Sequence, residues 1–323
     1  MALSEFDLIR RYFAEAGICH PETRLSIGDD CALLSCPPGM ELAVTVDTLV
    51  ADIHFFADVD PESLGHKALA VNLSDLAAMG ALSKWCTLAL TLPEVDEAWL
   101  SAFTQGFLAF AERHGVQLIG GDTTRGPLAI TIQAMGLIPR GQALRRSGAK
   151  TGDLIYVSGP LGAAGLALKQ RLSGQSPGAP SIAAALERPE PRLPLGERLR
   201  GLATACIDIS DGLAADLGHI LEASQVGARV DFERLPLSDF VRRHVEETGD
   251  YALPLTAGDD YELCFTVPPA QRMETDALLR QLDLKGSAIG EIVEAPGLRI
   301  LREGVPLFLE TSGHDHFAQV QVH

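Results

Sequence analysis

The chain has 323 residues, with 46% apolar and 21% charged side chains. That is long enough for two ordinary domains and describes a well-cored globular protein, not a disordered one. The net charge of −17 excludes a nucleic-acid surface, which needs a basic stripe, yet leaves room for an anionic ligand, because a bound divalent cation inverts the local sign.

No run of residues approaches a membrane span, and Met1 to Asp7 lacks the basic-then-apolar layout of a signal peptide. A cytoplasmic protein with no membrane partner is expected. Helical periodicity over residues 5–16 sets Phe6, Ile9 and Phe13 on one side. Gly28-Asp29-Asp30 follows, then a strand over 42–46 that runs into Asp47, with His54 soon after. A helix over 62–80 holds Asn72-Leu73-Ser74-Asp75, and a strand over 86–92 leads to a helix over 96–114 with Trp99, Phe103, Phe107 and Phe110 at core spacing. Gly120-Gly121-Asp122-Thr123-Thr124 precedes a strand over 129–136.

Residues 139–152 are turn-rich and basic, carrying Arg145 and Arg146. The expected domains are therefore 1–146 and 147–323. A strand over 154–158 enters the Gly-rich stretch Ser158 to Gly165. Its glycines suit either a phosphate-binding backbone or a tight strand-to-helix turn. Prolines 177, 180, 189, 191 and 194 make 172–196 a surface excursion or short helix with rigid connections. Asp208-Ile209-Ser210-Asp211-Gly212 and Gly258-Asp259-Asp260-Tyr261-Glu262 come next, the latter before a strand over 263–267. Ser74-Asp75-Leu76-Ala77-Ala78-Met79-Gly80 echoes Ser210-Asp211-Gly212-Leu213-Ala214-Ala215-Asp216-Leu217-Gly218, which points to equivalent helix starts in related halves or to a chance repeat of a capping sequence.

Each aspartate cluster alone reads as a cap or a turn. Their recurrence as Asp, beside Gly, Ser or Thr, points instead to hard divalent cations that bring substrate phosphates with them. No G-x-x-x-x-G-K-[ST] or kinase-type H-R-D is present. The six cysteines form no CxxC pair and are read as buried packing. His314 and His316, without further ligands, are read as a tail segment.

Taken in order, Gly28-Asp29-Asp30, Thr45-Val46-Asp47, Asn72 to Gly80, Gly120 to Gly126, Asp208 to Leu213 and Gly258 to Leu263 resemble the thiamine-monophosphate kinase family, within the aminoimidazole ribonucleotide synthetase superfamily. The resemblance implies an α/β (α+β) two-domain PurM-like fold with mixed sheets. The N-terminal sheet would join two copies into a homodimer. It implies ATP-dependent, in-line phosphorylation of thiamine monophosphate to the diphosphate, with several Mg²⁺ ions. Asp30, Thr45, Val46, Asp47, Asp75, Asp122, Asp208 and Asp211 would hold metal, Val46 through its carbonyl in place of a family hydroxyl. Gly121, Asp122, Arg146 and Ser210 would contact ATP, and Asp47, His54, Glu262 and Phe317 would meet thiamine monophosphate. Asp47, Asp75, Asp122 and Arg146 would be catalytic. Gln105 stands where some members place Tyr near the nucleotide. The alternatives are a synthetase-like enzyme of the same superfamily or a non-catalytic Mg-nucleotide-binding protein.

Overall fold

The computed structural model describes residues 5–14, 17–175, 178–310 and 313. Phe317, His314 and His316 lie outside the described residues. The chain divides into two compact units, one of residues 1–143 with 187–197, the other of 144–186 with 198–323.

The first unit holds α1 (Glu5–Ile9), continued by a π-helical turn over Arg10–Ala14, then β1 (Thr23–Leu25), β2 (Leu33–Leu34), β3 (Met40–Val50), α2 (Pro61–Ala78), β4 (Leu82–Leu92), α3 (Glu97–Arg113), β5 (Gln117–Arg125) and β6 (Ala129–Pro139). Its main sheet runs β3-β6-β4-β5. Only the β4–β5 pair in this sheet is parallel, which is why a crossover helix, α3, joins those two strands. Both long helices start on carboxylate caps. Asp60 accepts from the Ser63 amide at 2.9 Å, and Asp96 accepts from Ala98 and Trp99 at 2.9 and 3.1 Å. Most of α2 is buried, including the polar Asn72 and Ser74. A helix so enclosed must place its polar groups on specific partners.

From Leu42 to Thr48 the faces of β3 alternate. Ala43, Thr45 and Asp47 are half-buried, while Leu42, Val44 and Val46 are 46%, 52% and 58% exposed. Segment 187–197 also belongs to this unit. Pro189 O meets the buried His66 Nε2 at 2.8 Å, and Glu190 takes both of its Arg113 contacts at 2.6 and 2.8 Å. The segment is thus anchored, and Leu193 and Leu195 are buried.

The second unit comprises β7 (Leu154–Val157), α4 (Ala163–Leu172), α5 (Pro180–Glu187), α6 (Leu193–Leu199, whose first turns belong to the other unit), β8 (Ala205–Asp208), α7 (Leu213–Ser224), β9 (Gly227–Asp231), α8 (Asp239–Thr248), α9 (Leu253–Thr256), β10 (Leu263–Val267), α10 (Arg272–Gln281), β11 (Ser287–Val293), β12 (Gly297–Arg302) and β13 (Val305–Leu307). Its sheet order is β13-β12-β9-β11-β7-β10-β8, with β12 and β9 parallel. Ile155, Val157, Ile207, Leu217, Ile220 and Ile289 lie in its core. The mixed α/β architecture expected from the sequence is the one observed.

Two sequence expectations are corrected. Cys86, Cys206 and Cys264 are buried, but Cys19, Cys31 and Cys36 are exposed, since the segments around β1 and β2 form only a small two-stranded sheet. Ser74-Asp75 lies in the last turns of α2, whereas Ser210-Asp211 precedes α7. The echo therefore does not mark equivalent helix starts. The expected short helix within 172–196 is present as α5, and the start of α6 follows it, with Ile182, Leu186, Leu193 and Leu195 buried.

Candidate functional site

In the first unit the site is built where β3 lies over α2. Asp47 sits inside β3, opposite Ile132 of β6, and its amide donates to Asn72 Oδ1 at 3.1 Å. Asn72, 1% exposed, donates in turn to Ala68 O at 3.2 Å. This buried amide fixes the strand to the helix at the residue that matters. One turn along α2, Asp75 accepts a short hydrogen bond from the Thr45 hydroxyl. Burial, and then the neighbouring Asp75 charge, pushes the Asp47 carboxyl up to about 6. Two carboxylates thus lie together, with the Thr45 hydroxyl on Asp75 and the Asn72 amide oxygen on the Asp47 N–H.

The other candidates of this unit are more open. Asp122 lies within β5, exposed, opposite Ala89 of β4. Gly121 before it lets the two strands approach, because a Cβ there would sit 1.9 Å from Leu88 O. Asp30 is exposed, and its amide donates to Asp29 Oδ1 at 3.1 Å. The Val46 side chain points to the exposed face, away from Thr45 and Asp47. His54 accepts from the Val50 amide through Nδ1 at 3.1 Å, which leaves the ring proton on Nε2 in the neutral form. No group of three or more His, Cys, Asp or Glu able to hold a metal is found among the described residues. Asp47 and Asp75 are the carboxylates brought together here.

In the second unit, β8 delivers Asp208, 5% exposed and opposite Leu263 of β10. The turn Ser210-Asp211-Gly212 then leads into α7. Both side chains of Ser210 and Asp211 are half-buried. The amides of Ser210, Asp211 and Gly212 all donate to Asp216 Oδ2, each at 3.1 Å. Burial pushes the Asp216 carboxyl up to about 7, against the pull of these amides. Arg146 is exposed, and its carbonyl accepts from Ser224 Oγ at 3.2 Å. The preceding Arg145 O pairs with the Cys206 amide at 2.8 Å, so this stretch lies along the free side of β8.

The Gly-rich stretch 158–165 proves to be a strand-to-helix turn filled by the protein's own carboxylates. The N–H of Gly162, at the N-cap of α4, donates to both Asp260 oxygens at 3.0 and 2.9 Å. Desolvation nonetheless holds that carboxyl well above the usual range. Glu262, 3% exposed, accepts from Ser158 Oγ at 2.5 Å, and Ser158 Oγ accepts from the Leu263 amide at 2.7 Å. Asn72, Asp216 and Asp260 carry roles that sequence reasoning missed. Each was quoted within a motif, but only its hydrogen-bond partners reveal what it holds.

Two family models match the chain. They are AIR synthase related protein, N-terminal domain, over residues 28–138, and AIR synthase related protein, C-terminal domain, over 150–302. The chain is similar to the thiamine-monophosphate kinase of Salmonella typhimurium, 51% identical over 98% of this chain and 99% of that protein. It is also similar to that of Bacillus subtilis, 34% identical over 98% and 100%. Among solved structures it resembles thiamine-monophosphate kinase from Stenotrophomonas maltophilia K279a, 46% identical with a TM-score of 0.85 over 95% of this chain and 99% of that one. It also resembles AaThiL complexed with AMPPCP and TMP, 30% identical with a TM-score of 0.77 over 87% and 89%. Escherichia coli HypE, a hydrogenase maturation protein, shares the fold at 24% identity and a TM-score of 0.78.

Proposed function

The chain belongs to the thiamine-monophosphate kinase family of AIR synthase related proteins, and from that membership we infer that Asp47 and Asp75 carry its phosphoryl transfer. The reaction is ATP-dependent phosphorylation of thiamine monophosphate. Its product is the diphosphate. The acceptor is a phosphate oxygen, already ionised at neutral pH, so no strong general base is required. What remains for the protein is positioning and the management of negative charge.

The donor set of the first unit fits a hard divalent cation. Mg²⁺ is usually held by one or two carboxylates plus substrate phosphates, not by an all-protein cage. Asp47 and Asp75 supply that pair, and burial, with the neighbouring Asp75 charge second, disfavours the ionised form of Asp47, a cost that a bound cation offsets. When bound, Mg²⁺ supplies charge neutralisation between two anionic reactants.

Within this reading, Asn72 holds Asp47 in register and Thr45 holds one oxygen of Asp75. In the first unit Asp30, Asp122 and the Val46 carbonyl are the further oxygen ligands; in the second unit, taken by itself, Asp208 and Asp211 are the metal ligands. Gly121, Asp122, Arg146 and Ser210 meet the nucleotide, with Arg146 as a bidentate phosphate clamp. Thiamine monophosphate is met by Asp47, His54, Glu262 and Phe317. Binding of both a nucleotide and thiamine monophosphate is supported by the likeness to AaThiL complexed with AMPPCP and TMP. The exposed Leu42, Val44 and Val46 stripe of β3 supports a homodimer joined through this sheet. Among the described residues no helix is long and apolar enough to cross a membrane, and a cytoplasmic address fits an enzyme that consumes ATP.

The observation that carries this reading is the Asp47–Asp75 pair braced by Thr45 and Asn72. Its test is incubation with ATP, Mg²⁺ and thiamine monophosphate, followed by assay of thiamine diphosphate, with an aminoimidazole precursor as the competing substrate. Product is expected only from thiamine monophosphate and only with a divalent cation. Turnover of the aminoimidazole precursor instead, or none at all, would overturn it.

A further inference from the structure

We propose that Asp216 is a positioning residue, whose carboxylate fixes the backbone of residues 210–212 so that the Ser210 and Asp211 side chains keep one orientation toward Mg-nucleotide. This rests on the assignment of that turn to the nucleotide side.

Helix α7 begins at Leu213 behind Gly212, which offers no side-chain cap. Asp216, one turn inside, reaches back over the helix start. Its Oδ2 gathers three successive amides at 3.1 Å each. Successive N–H groups aimed at one point form a concavity that elsewhere binds a phosphate or another anion. In this chain an internal carboxylate fills it, so the amides hold the turn's shape and the side chains are left to face a ligand.

The opposite edge of the turn is committed too. Ile209 O and Ser210 O accept from the amides of Tyr261 and Asp259, both at 2.8 Å. Asp259 and Tyr261 adopt φ of 66° and 49° to do so, a left-handed conformation that is strained for a non-glycine residue. Gly258 lies so close that a Cβ would sit 2.2 Å from Ser210 O. The backbone from Ile209 to Gly212 is therefore pinned through its acceptors on one side and its donors on the other.

Cost separates this device from an ordinary helix start. A surface Ser or Asn at the N-cap stabilises a helix while staying in water, at little desolvation cost. Asp216 is 2% exposed, and withdrawing a carboxylate from water is costly before any hydrogen bond offsets it. Such an expensive brace is expected where the geometry of two neighbouring side chains matters more than helix stability.

The test uses the full chain with Asp216→Ala and Asp216→Asn. Three readouts are taken: hydrogen exchange of the 209–213 amides, calorimetric affinity for Mg²⁺ with a non-hydrolysable ATP analogue, and affinity for thiamine monophosphate alone. Faster exchange is expected in both variants. Nucleotide affinity should fall more than about tenfold in Asp216→Ala and about threefold to tenfold in Asp216→Asn, since a neutral acceptor binds amides less strongly than a charged one. Thiamine monophosphate affinity should stay within about twofold of wild type, a change too small to reflect a lost hydrogen bond. A folded variant with faster exchange but unchanged nucleotide affinity would overturn the proposal, as would equal loss of both ligands. If Asp216→Ala does not fold, Asp216→Asn decides alone. Wild-type chain that fails to bind the Mg-nucleotide analogue would instead sink the reading of the site itself.

Discussion

The hydroxyl of Thr45 donates to Oδ2 of Asp75, a residue 30 positions further along the chain. The bond joins β3 to α2 directly beside Asp47, whose own amide is held by Asn72 from the same helix. A strand and a helix are thus locked together at the two carboxylates assigned to Mg²⁺, and the lock consists of neutral groups that add no charge of their own.

Thr45→Val keeps the β-branched shape and removes the hydroxyl. The fold should survive, while the Mg²⁺ concentration for half-maximal turnover should rise by about fivefold, the equivalent of one lost hydrogen bond near 1 kcal/mol. Thr45→Ser should restore it. A titration of initial rate against Mg²⁺ checks this, and an unchanged midpoint in Thr45→Val would remove the hydroxyl from the account.

Two groups tilt stability against pH in opposite directions. Asp47 titrates at about 6 in the fold against an ordinary 3.8, so between these values the folded chain keeps a proton that the unfolded chain has lost. Stability therefore falls as pH rises through that window, by about 3 kcal/mol at most, and stays lowered above it. His114 is held down at about 4 against 6.5 by burial and then by Arg113, so its contribution is present above pH 6.5 and is lost as pH falls toward 4. In metal-free urea titrations from pH 4 to 6.5, Asp47→Asn should gain stability relative to wild type as pH rises. His114→Phe should gain relative to wild type as pH falls. Parallel profiles for all three chains would contradict both shifts.

Gly121→Ala should separate β4 from β5, because the added methyl meets the Leu88 carbonyl within bonding range. A loss of about 1–3 kcal/mol is expected from the forced shift, together with impaired turnover as Asp122 moves. Thermal unfolding and a rate assay on the same sample check it. A full rate at unchanged Tm would show that the strands tolerate the extra carbon.

If the outer face of β3 joins two copies, Val44→Glu should place unpaired charge in that contact and yield a monomer. Val44 is 52% exposed in the single chain, so the monomer itself should not be destabilised. Sedimentation velocity distinguishes the outcomes, and a variant of wild-type mass would move any interface elsewhere.

The parts legible in the sequence were those that periodicity and recurrence report. Phe103, Phe107 and Phe110 at helical spacing gave α3 its buried face, and the short run over 42–46 located the middle of β3, which extends from Met40 to Val50. The Asp-Gly-Ser patterns located Asp47, Asp75 and Asp211 without showing which of them meet. Proximity depends on register, and a single Asn72 amide fixes the register of Asp47 over α2. Asp216 was hidden because a carboxylate on a helix reads as surface, and only the amides behind it show that it points inward. Segment 187–197 was hidden for a similar reason. Its prolines announce rigid turns, but its return to the first unit rests on His66 and Arg113, far away in sequence. Cys19, Cys31 and Cys36 misled because local apolar neighbours do not ensure burial in so small a sheet.

The central assignment is tested most directly by the turnover number for thiamine diphosphate formation in Asp47→Asn, Asp75→Asn and Asp122→Asn at saturating ATP and Mg²⁺. Each substitution keeps the side-chain shape and removes one anionic ligand, so each should lower turnover by about 100-fold or more with the fold intact, as expected when metal placement supplies several kcal/mol of barrier lowering. Turnover near the wild-type value in all three variants would contradict the assignment.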